Sequence, residues 1–177
     1  GFLSKPLLPS ALRSLLARLT GIEMMGQADA AGGERAIRLD GLRVLLAEDN
    51  ALNQQLATEL LSRRGAVIDV ANNGVEALER LRMVGPSGYD VVLMDLHMPA
   101  MDGYEATRQI RADDAFAHVP IVAMTAHALT EERERCLAIG MQGHISKPLD
   151  PQKLYATLEA YAPATAERPL DGGGQAA

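Results

Sequence analysis

The chain reads as an α/β domain: a doubly wound, five-stranded parallel sheet with helices on both faces. Two observations predict this. Between Leu42 and Tyr161, five apolar strand-like runs alternate with five amphipathic stretches, the pattern of repeated βαβ units. The runs around Leu45, Val92 and Val122 are apolar throughout instead of alternating, as in strands covered on both faces.

The elements follow in order. The first strand is expected over 43–47 and the first helix over 51–64, where Leu52, Leu56, Ala57, Leu60 and Leu61 recur at helical spacing and Gly65 marks the stop. The run 67–71 contains Asp69 and reads as an edge strand. Turns at Asn73-Gly74 and Pro86-Ser87-Gly88 bracket a helix over 74–84, with Val75, Leu78 and Leu81 as its apolar stripe and Arg80 and Arg82 towards solvent. Strands over 90–95 and 120–124 flank a helix at 104–113. Thr130, followed by Glu131 and Glu132, suits the N-cap of a helix over 130–139. A last strand, 143–146, leads through Asp150-Pro151, a cap with proline at the first helical position, into a helix over 151–161.

The domain therefore spans 42–162, between a Gly/Ala-rich linker at 20–41 and a flexible tail at 163–177. Residues 1–19 carry Gly-x-x-Ser-Lys-Pro-Leu-x-Pro followed by Leu12 and Leu16. The same design recurs from Gly143 through Lys147 and Pro151 to Leu154 and Leu158. This internal repeat suggests the last strand and helix of a second, upstream domain of the same kind, with Lys5 in the place of Lys147. Leu12, Leu15, Leu16 and Leu19 would lie on one helical face, suited to docking or self-association.

Composition narrows the function. The 177 residues are 47% hydrophobic with 3% aromatic and no Trp, so the core must be aliphatic. A formal charge of −6 argues against a nucleic-acid surface. No apolar stretch approaches the ~20 residues needed to cross a bilayer, and Pro6, Pro9, Arg13 and Arg18 interrupt any secretory h-region. Cys136 is the single cysteine, which excludes an internal disulfide; within a helix it reads as a buried, inert thiol of a reducing compartment.

The chemistry gathers at strand ends. Glu48 and Asp49 follow the first run, Asp95 ends the third, Thr125 follows the fourth and Lys147 the fifth. The carboxyl edge of an open α/β sheet is where such folds bind ligands. Like charges ~4 Å apart repel by about 4 kcal/mol at an effective dielectric near 20, so the three carboxylates are stable only if they protonate, form salt bridges or take up a cation. Hard oxygens without a His or Cys ligand pair favour Mg²⁺, with Mn²⁺ as an alternative. Phosphoryl transfer needs charge neutralised on three equatorial oxygens. The metal, Lys147 and Thr125 match that need, with Asp95 as nucleophile forming an acyl phosphate.

The segments Leu-Ala-Glu-Asp-Asn-x-x-Asn-Gln (46–54), Leu-Met-Asp-Leu-His-Met-Pro-x-Met-Asp-Gly-Tyr-Glu-Ala-Thr (93–107), Ala-Met-Thr-Ala-His-Ala (123–128) and Ser-Lys-Pro (146–148) resemble the receiver domain of two-component signalling, most of all the receivers of hybrid histidine kinases. The resemblance implies a flavodoxin-like strand order, 2-1-3-4-5. It implies Asp95 as phosphoacceptor, Asp49 as direct metal ligand, Glu48 acting through water, and the His97 carbonyl as third protein ligand. Thr125 becomes the switch hydroxyl, Lys147 the phosphoryl-pairing lysine, and Lys147-Pro148 a cis peptide. His144 stands at a switch position usually held by Tyr or Phe, and imidazole is smaller and titrates near neutral pH. His97 and His127 flank the phosphoryl site and are expected to tune water's access to it.

The implied partner is a histidine kinase or histidine phosphotransfer domain, with no nucleic acid and no direct membrane contact. The implied parent is a histidine kinase, with this domain in the cytoplasm or on the cytoplasmic side of a membrane-anchored sensor. The domain itself would be a signalling module, not an enzyme proper. Two alternatives stay open. A hydrolase with an aspartyl intermediate would usually place a second acid two residues beyond Asp95, where His97 stands. An interaction module would keep only the fold.

Overall fold

The computed structural model describes residues 37–126 and 130–163. Its elements are β1 (Arg43–Ala47), α1 (Ala51–Ser62), β2 (Val67–Ala71), α2 (Gly74–Val84), β3 (Val91–Asp95), α3 (Gly103–Ala112), β4 (Ile121–Thr125), α4 (Thr130–Ala138), β5 (Gly143–Ser146) and α5 (Pro151–Glu159). The five strands form one parallel sheet in the order β2-β1-β3-β4-β5, the expected topology. β2, which carries Asp69, is an edge strand as anticipated.

Side chains alternate across each strand, so the continuous apolar runs feed two cores. Leu45, Val92, Met94, Ile121 and Ala123 pack with Leu78, Leu81, Ile110 and Cys136, from α2, α3 and α4. Val44, Leu46, Leu93, Val122 and Met124 pack with Ala57, Leu61, Leu154 and Leu158, from α1 and α5. Sheet and helices thus form three layers, and the carboxyl ends of all strands lie along one rim.

Caps set where the helices begin at that rim. The side chains of Asn50, Asn73, Asp102 and Asp150 each accept a backbone N–H from the first turn of α1, α2, α3 and α5. Gly65 closes the α1 turn with φ +90°, a left-handed conformation that suits glycine.

Several boundaries differ from expectation. β3 starts at Val91, one residue later than expected; Asp90, just before it, donates its N–H to the Arg43 carbonyl at 2.8 Å and accepts the Arg43 N–H with its carboxylate at 2.8 Å. β4 runs 121–125, since Pro120 precedes the ladder and Thr125 pairs in register with Ser146. Thr130 is itself helical, within α4, and is not a capping residue ahead of it. Leu52 is 76% exposed and Leu56 44%, so the α1 stripe that the sheet covers is narrower than the spacing suggested. Val75 is also exposed. Residues 37–41, expected as the linker's end, are tied to the domain: Leu39 is fully buried and donates its N–H to the Arg64 carbonyl. The repeat at 1–19 with Lys5, the linker up to residue 36, the tail from residue 164 and His127 all lie outside the described residues.

Candidate functional site

Glu48 follows β1 at the rim, and Asp95 is the last residue of β3. Both are buried, at 1% and 4% exposure, whereas Asp49 is exposed. Carboxylate oxygens of Glu48, Asp49 and Asp95 all lie within 4.8 Å of one another. Lys147 follows β5 and reaches across the rim; its Nζ lies 2.6 Å from Glu48 Oε2 and 2.6 Å from Asp95 Oδ2. The other Asp95 oxygen, Oδ1, accepts the His97 backbone N–H at 3.1 Å. The Lys147-Pro148 bond is cis, as expected.

Burial alone would lower the Lys147 ammonium, but Asp95 and Glu48, bonding to it on two sides, outweigh burial and hold it above its ordinary range. The ammonium therefore stays charged between two buried carboxylates. Hard carboxylate oxygens this close also suit a divalent cation, and Asp49 completes the cluster from the exposed side.

Further polar groups set this geometry. Glu48 Oε1 accepts Asn53 Nδ2 at 2.9 Å and the Asn50 N–H at 3.3 Å. Gln54 Nε2 donates to the Glu48 carbonyl at 2.6 Å and to Asn72 Oδ1 at 3.0 Å. Asn53 and Gln54 belong to the Glu-Asp-Asn-x-x-Asn-Gln segment but carried no role in the sequence reading. Their signal was the helical spacing from Asn50, which turns them back towards the strand end.

Beneath the site, Gly103 lets two backbones meet. Its N–H donates to the Leu96 carbonyl at 3.2 Å, and a Cβ there would stand 2.2 Å from the Asp95 carbonyl oxygen.

Thr125 ends β4 beside Asp95 and is buried. Its backbone is held on both sides: Lys147 N–H donates to the Thr125 carbonyl at 2.6 Å, and the Leu96 N–H donates to the neighbouring Met124 carbonyl at 3.2 Å. Its hydroxyl donates to Glu132 Oε2, on the first turn of α4. Glu132 Oε1 accepts the Tyr104 hydroxyl at 3.3 Å, and Arg135 lies over the Tyr104 ring at 4.1 Å. Burial first, and the nearby Glu132 charge second, push the Tyr104 hydroxyl up to about 12. Burial likewise raises the neighbouring Cys136 thiol, consistent with an inert buried cysteine. Neither Glu132 nor Tyr104 was singled out from the sequence; Glu132 stands among Glu131 and Glu134 with nothing to distinguish it.

The remaining candidates are placed as follows. The His97 imidazole is exposed. His144 is half-buried on β5, where it shares a depression of about 450 Å³ with Lys153, Ala156 and Thr157 of α5. Among the described residues no helix is long and apolar enough to cross a membrane.

Comparison with known proteins gives concordant matches. Residues 44–159 match the family model of the response regulator receiver domain. The chain is 33% identical over 188 residues to probable histidine kinase 5 of Oryza sativa, covering 94% of this chain and 16% of that protein. It is 40% identical over 121 residues to hybrid signal transduction histidine kinase I of Dictyostelium discoideum, covering 66% of this chain and 7% of that one. The chain thus spans less than a fifth of the length of these relatives. Among solved structures it is similar to the receiver domain of a Pseudomonas aeruginosa sensor histidine kinase, which holds a magnesium ion in its active site cleft. That match has TM-score 0.60 and 37% identity, and covers 69% of this chain and 98% of the other. A co-crystal structure of a Saccharomyces cerevisiae histidine phosphotransfer protein with the receiver domain of its downstream response regulator also matches. There the TM-score is 0.63 and the identity 27%, with 70% of this chain and 90% of the matched chain covered.

Proposed function

The chain belongs to the response regulator receiver domain family, and on that premise we propose that Asp95 accepts a phosphoryl group from a donor phosphohistidine. One Asp95 oxygen attacks phosphorus, forming the O–P bond of an acyl phosphate. The P–N bond to the donor breaks, and its electron pair returns to the imidazole. The single observation that carries this reading is the position of Lys147 Nζ, 2.6 Å from both Glu48 and Asp95 inside a three-carboxylate cluster.

Each residue has a task its chemistry allows. The His97 N–H orients Asp95 through Oδ1. Lys147 already neutralises Oδ2 and pairs with a phosphoryl oxygen once Asp95 is esterified. Glu48, Asp49, Asp95 and the His97 carbonyl are the groups that would hold Mg²⁺; Mn²⁺ suits the same oxygens. The ion, when bound, neutralises charge on the transferring phosphoryl oxygens. Thr125 supplies a hydroxyl donor to the new phosphoryl group.

By this reading the domain is a signalling module that catalyses its own modification, not an enzyme acting on a free substrate. The parent protein is a hybrid histidine kinase, the partner a histidine kinase or histidine phosphotransfer domain, and the domain works on the cytoplasmic side. The test is intact mass after incubation with acetyl phosphate and Mg²⁺. Wild type is expected to gain one phosphoryl group, which Asp95→Asn and chelation of Mg²⁺ both abolish. Uptake by Asp95→Asn equal to wild type would overturn the assignment.

A further inference from the structure

We propose that Glu132 is a positioning residue that latches the Thr125 hydroxyl away from the phosphoryl site and so sets how readily the domain switches. The inference rests on Asp95 being the phosphoacceptor and adds a residue of α4 to that chemistry.

A threonine hydroxyl has one proton to donate. Here that proton goes to Glu132 Oε2. A phosphoryl group on Asp95 brings three acceptor oxygens and needs donors. One proton cannot serve both, so donation to the phosphoryl group requires release from Glu132. The two arrangements are alternatives of one bond, and their balance is a two-state equilibrium.

The surroundings favour the latched state before phosphorylation. Glu132 sits in the first turn of α4, where the helix dipole stabilises a carboxylate as an acceptor. Its other oxygen is occupied by the Tyr104 hydroxyl. Thr125 is 2% exposed, so water is a poor substitute partner for its hydroxyl. The backbone of Thr125 is fixed by Lys147, which leaves the side-chain torsion as the means of exchange. Release would cut a tie between β4 and α4, and the event at Asp95 would reach the helix through that bond.

The proposal separates from a merely structural role for Glu132 by a double-mutant cycle on the full chain. Beryllofluoride with Mg²⁺ serves as the phosphoryl mimic, and its apparent affinity is measured in wild type, Glu132→Gln, Thr125→Val and the double variant. Glutamine keeps the size of glutamate but removes the charge that makes the latch strong. Glu132→Gln is expected to tighten the mimic by roughly tenfold, the lower end of what a hydrogen bond to a charged group contributes. In the Thr125→Val background the same substitution is expected to change nothing. In parallel, NMR couplings of Thr125 without the mimic should report one side-chain rotamer in wild type and averaging in Glu132→Gln.

An unchanged or weakened affinity in Glu132→Gln overturns the latch, as does an equal gain in both backgrounds, which would mean action through net charge and not through Thr125. Unaltered Thr125 couplings overturn it as well. A wild-type chain that binds no mimic overturns the phosphoacceptor reading, and the latch's effect on affinity falls with it.

Discussion

The carboxylate pocket and the Thr125 corner occupy neighbouring strand ends, yet they are held by different physics. In the pocket, one ammonium bridges two buried carboxylates, at 2.6 Å to each. In the corner, one hydroxyl proton rests on a half-exposed glutamate. Removing a charge from the first leaves an uncompensated buried charge, which is strongly destabilising. Rerouting the second exchanges one hydrogen bond for another. By the function proposed above, binding chemistry sits where rearrangement carries a large energy, and switching chemistry where it carries a small one.

The sharpest way to break this contrast is Lys147→Ala. Without the ammonium, Glu48 and Asp95 face each other while buried, and the loss at neutral pH is expected to be about 3–5 kcal/mol, the range for a broken buried pair. Mg²⁺ should restore more stability to the variant than to wild type, because it no longer competes with Lys147 for the same oxygens. Denaturant unfolding with and without Mg²⁺ reads both effects. A variant as stable as wild type in chelator would show that the pocket carboxylates are not held as charges. The sign with pH follows from the raised value of Lys147. A base whose pKa is raised by folding contributes its stability in full below its unfolded pKa and loses it as pH rises through the folded one. Neutral-pH comparisons therefore see the whole contribution.

Gly103→Ala comes next. A Cβ would stand 2.2 Å from the Asp95 carbonyl oxygen and 3.0 Å from the Leu96 Cα, atoms of the backbone that cannot swing aside. Overpacking of this kind costs about 1–3 kcal/mol. Here the displaced atoms carry Asp95 itself, so phosphoryl uptake from acetyl phosphate should fall together with stability. Lost stability with unchanged uptake would mean that the pocket tolerates movement of its floor.

The same contrast decides what the sequence made legible. Strands with both faces covered must be apolar throughout, so β1, β3 and β4 were visible as runs, and Glu48 and Asp95 as the groups that follow or end them. Lys147 follows β5, an edge strand in which only Ile145 is buried, and stood out by the Ser-Lys-Pro segment it belongs to. The strand order came from the resemblance, which the ladder bears out. Periodicity showed which α1 residues share a side but not how wide a strip the sheet covers, so Leu52 and Leu56 were misjudged. Glu132 was illegible for a different reason. Its partner lies seven residues earlier on another element, and their meeting depends on how α4 is seated against β4 and Tyr104. Local pattern carries no such information.

The smallest expected effect lies in the corner, at Tyr104. Tyr104→Phe removes the 3.3 Å hydrogen bond to Glu132 but keeps the ring under Arg135. At neutral pH the loss should be about 0.5–1.5 kcal/mol, the net worth of one hydrogen bond. The clearer signal is alkaline. Burial, then Glu132, raise the Tyr104 hydroxyl from 10.0 to about 12. An acid raised in this way keeps its proton when folded while unfolded chains ionise, so stability falls as pH climbs from 10.0 to about 12. Tyr89, which donates to Asp69 at 2.7 Å, is raised to about 12 as well, by burial first and by Asp69 next. Tyr104→Phe should therefore make the alkaline decline shallower without abolishing it, and adding Tyr89→Phe should flatten it further, leaving the part due to Lys147 and the buried Cys136 thiol. An alkaline slope identical in wild type and Tyr104→Phe would mean that the Tyr104 hydroxyl is not held as a protonated donor beside Glu132, and the corner would lose the second of the two bonds that seat that carboxylate.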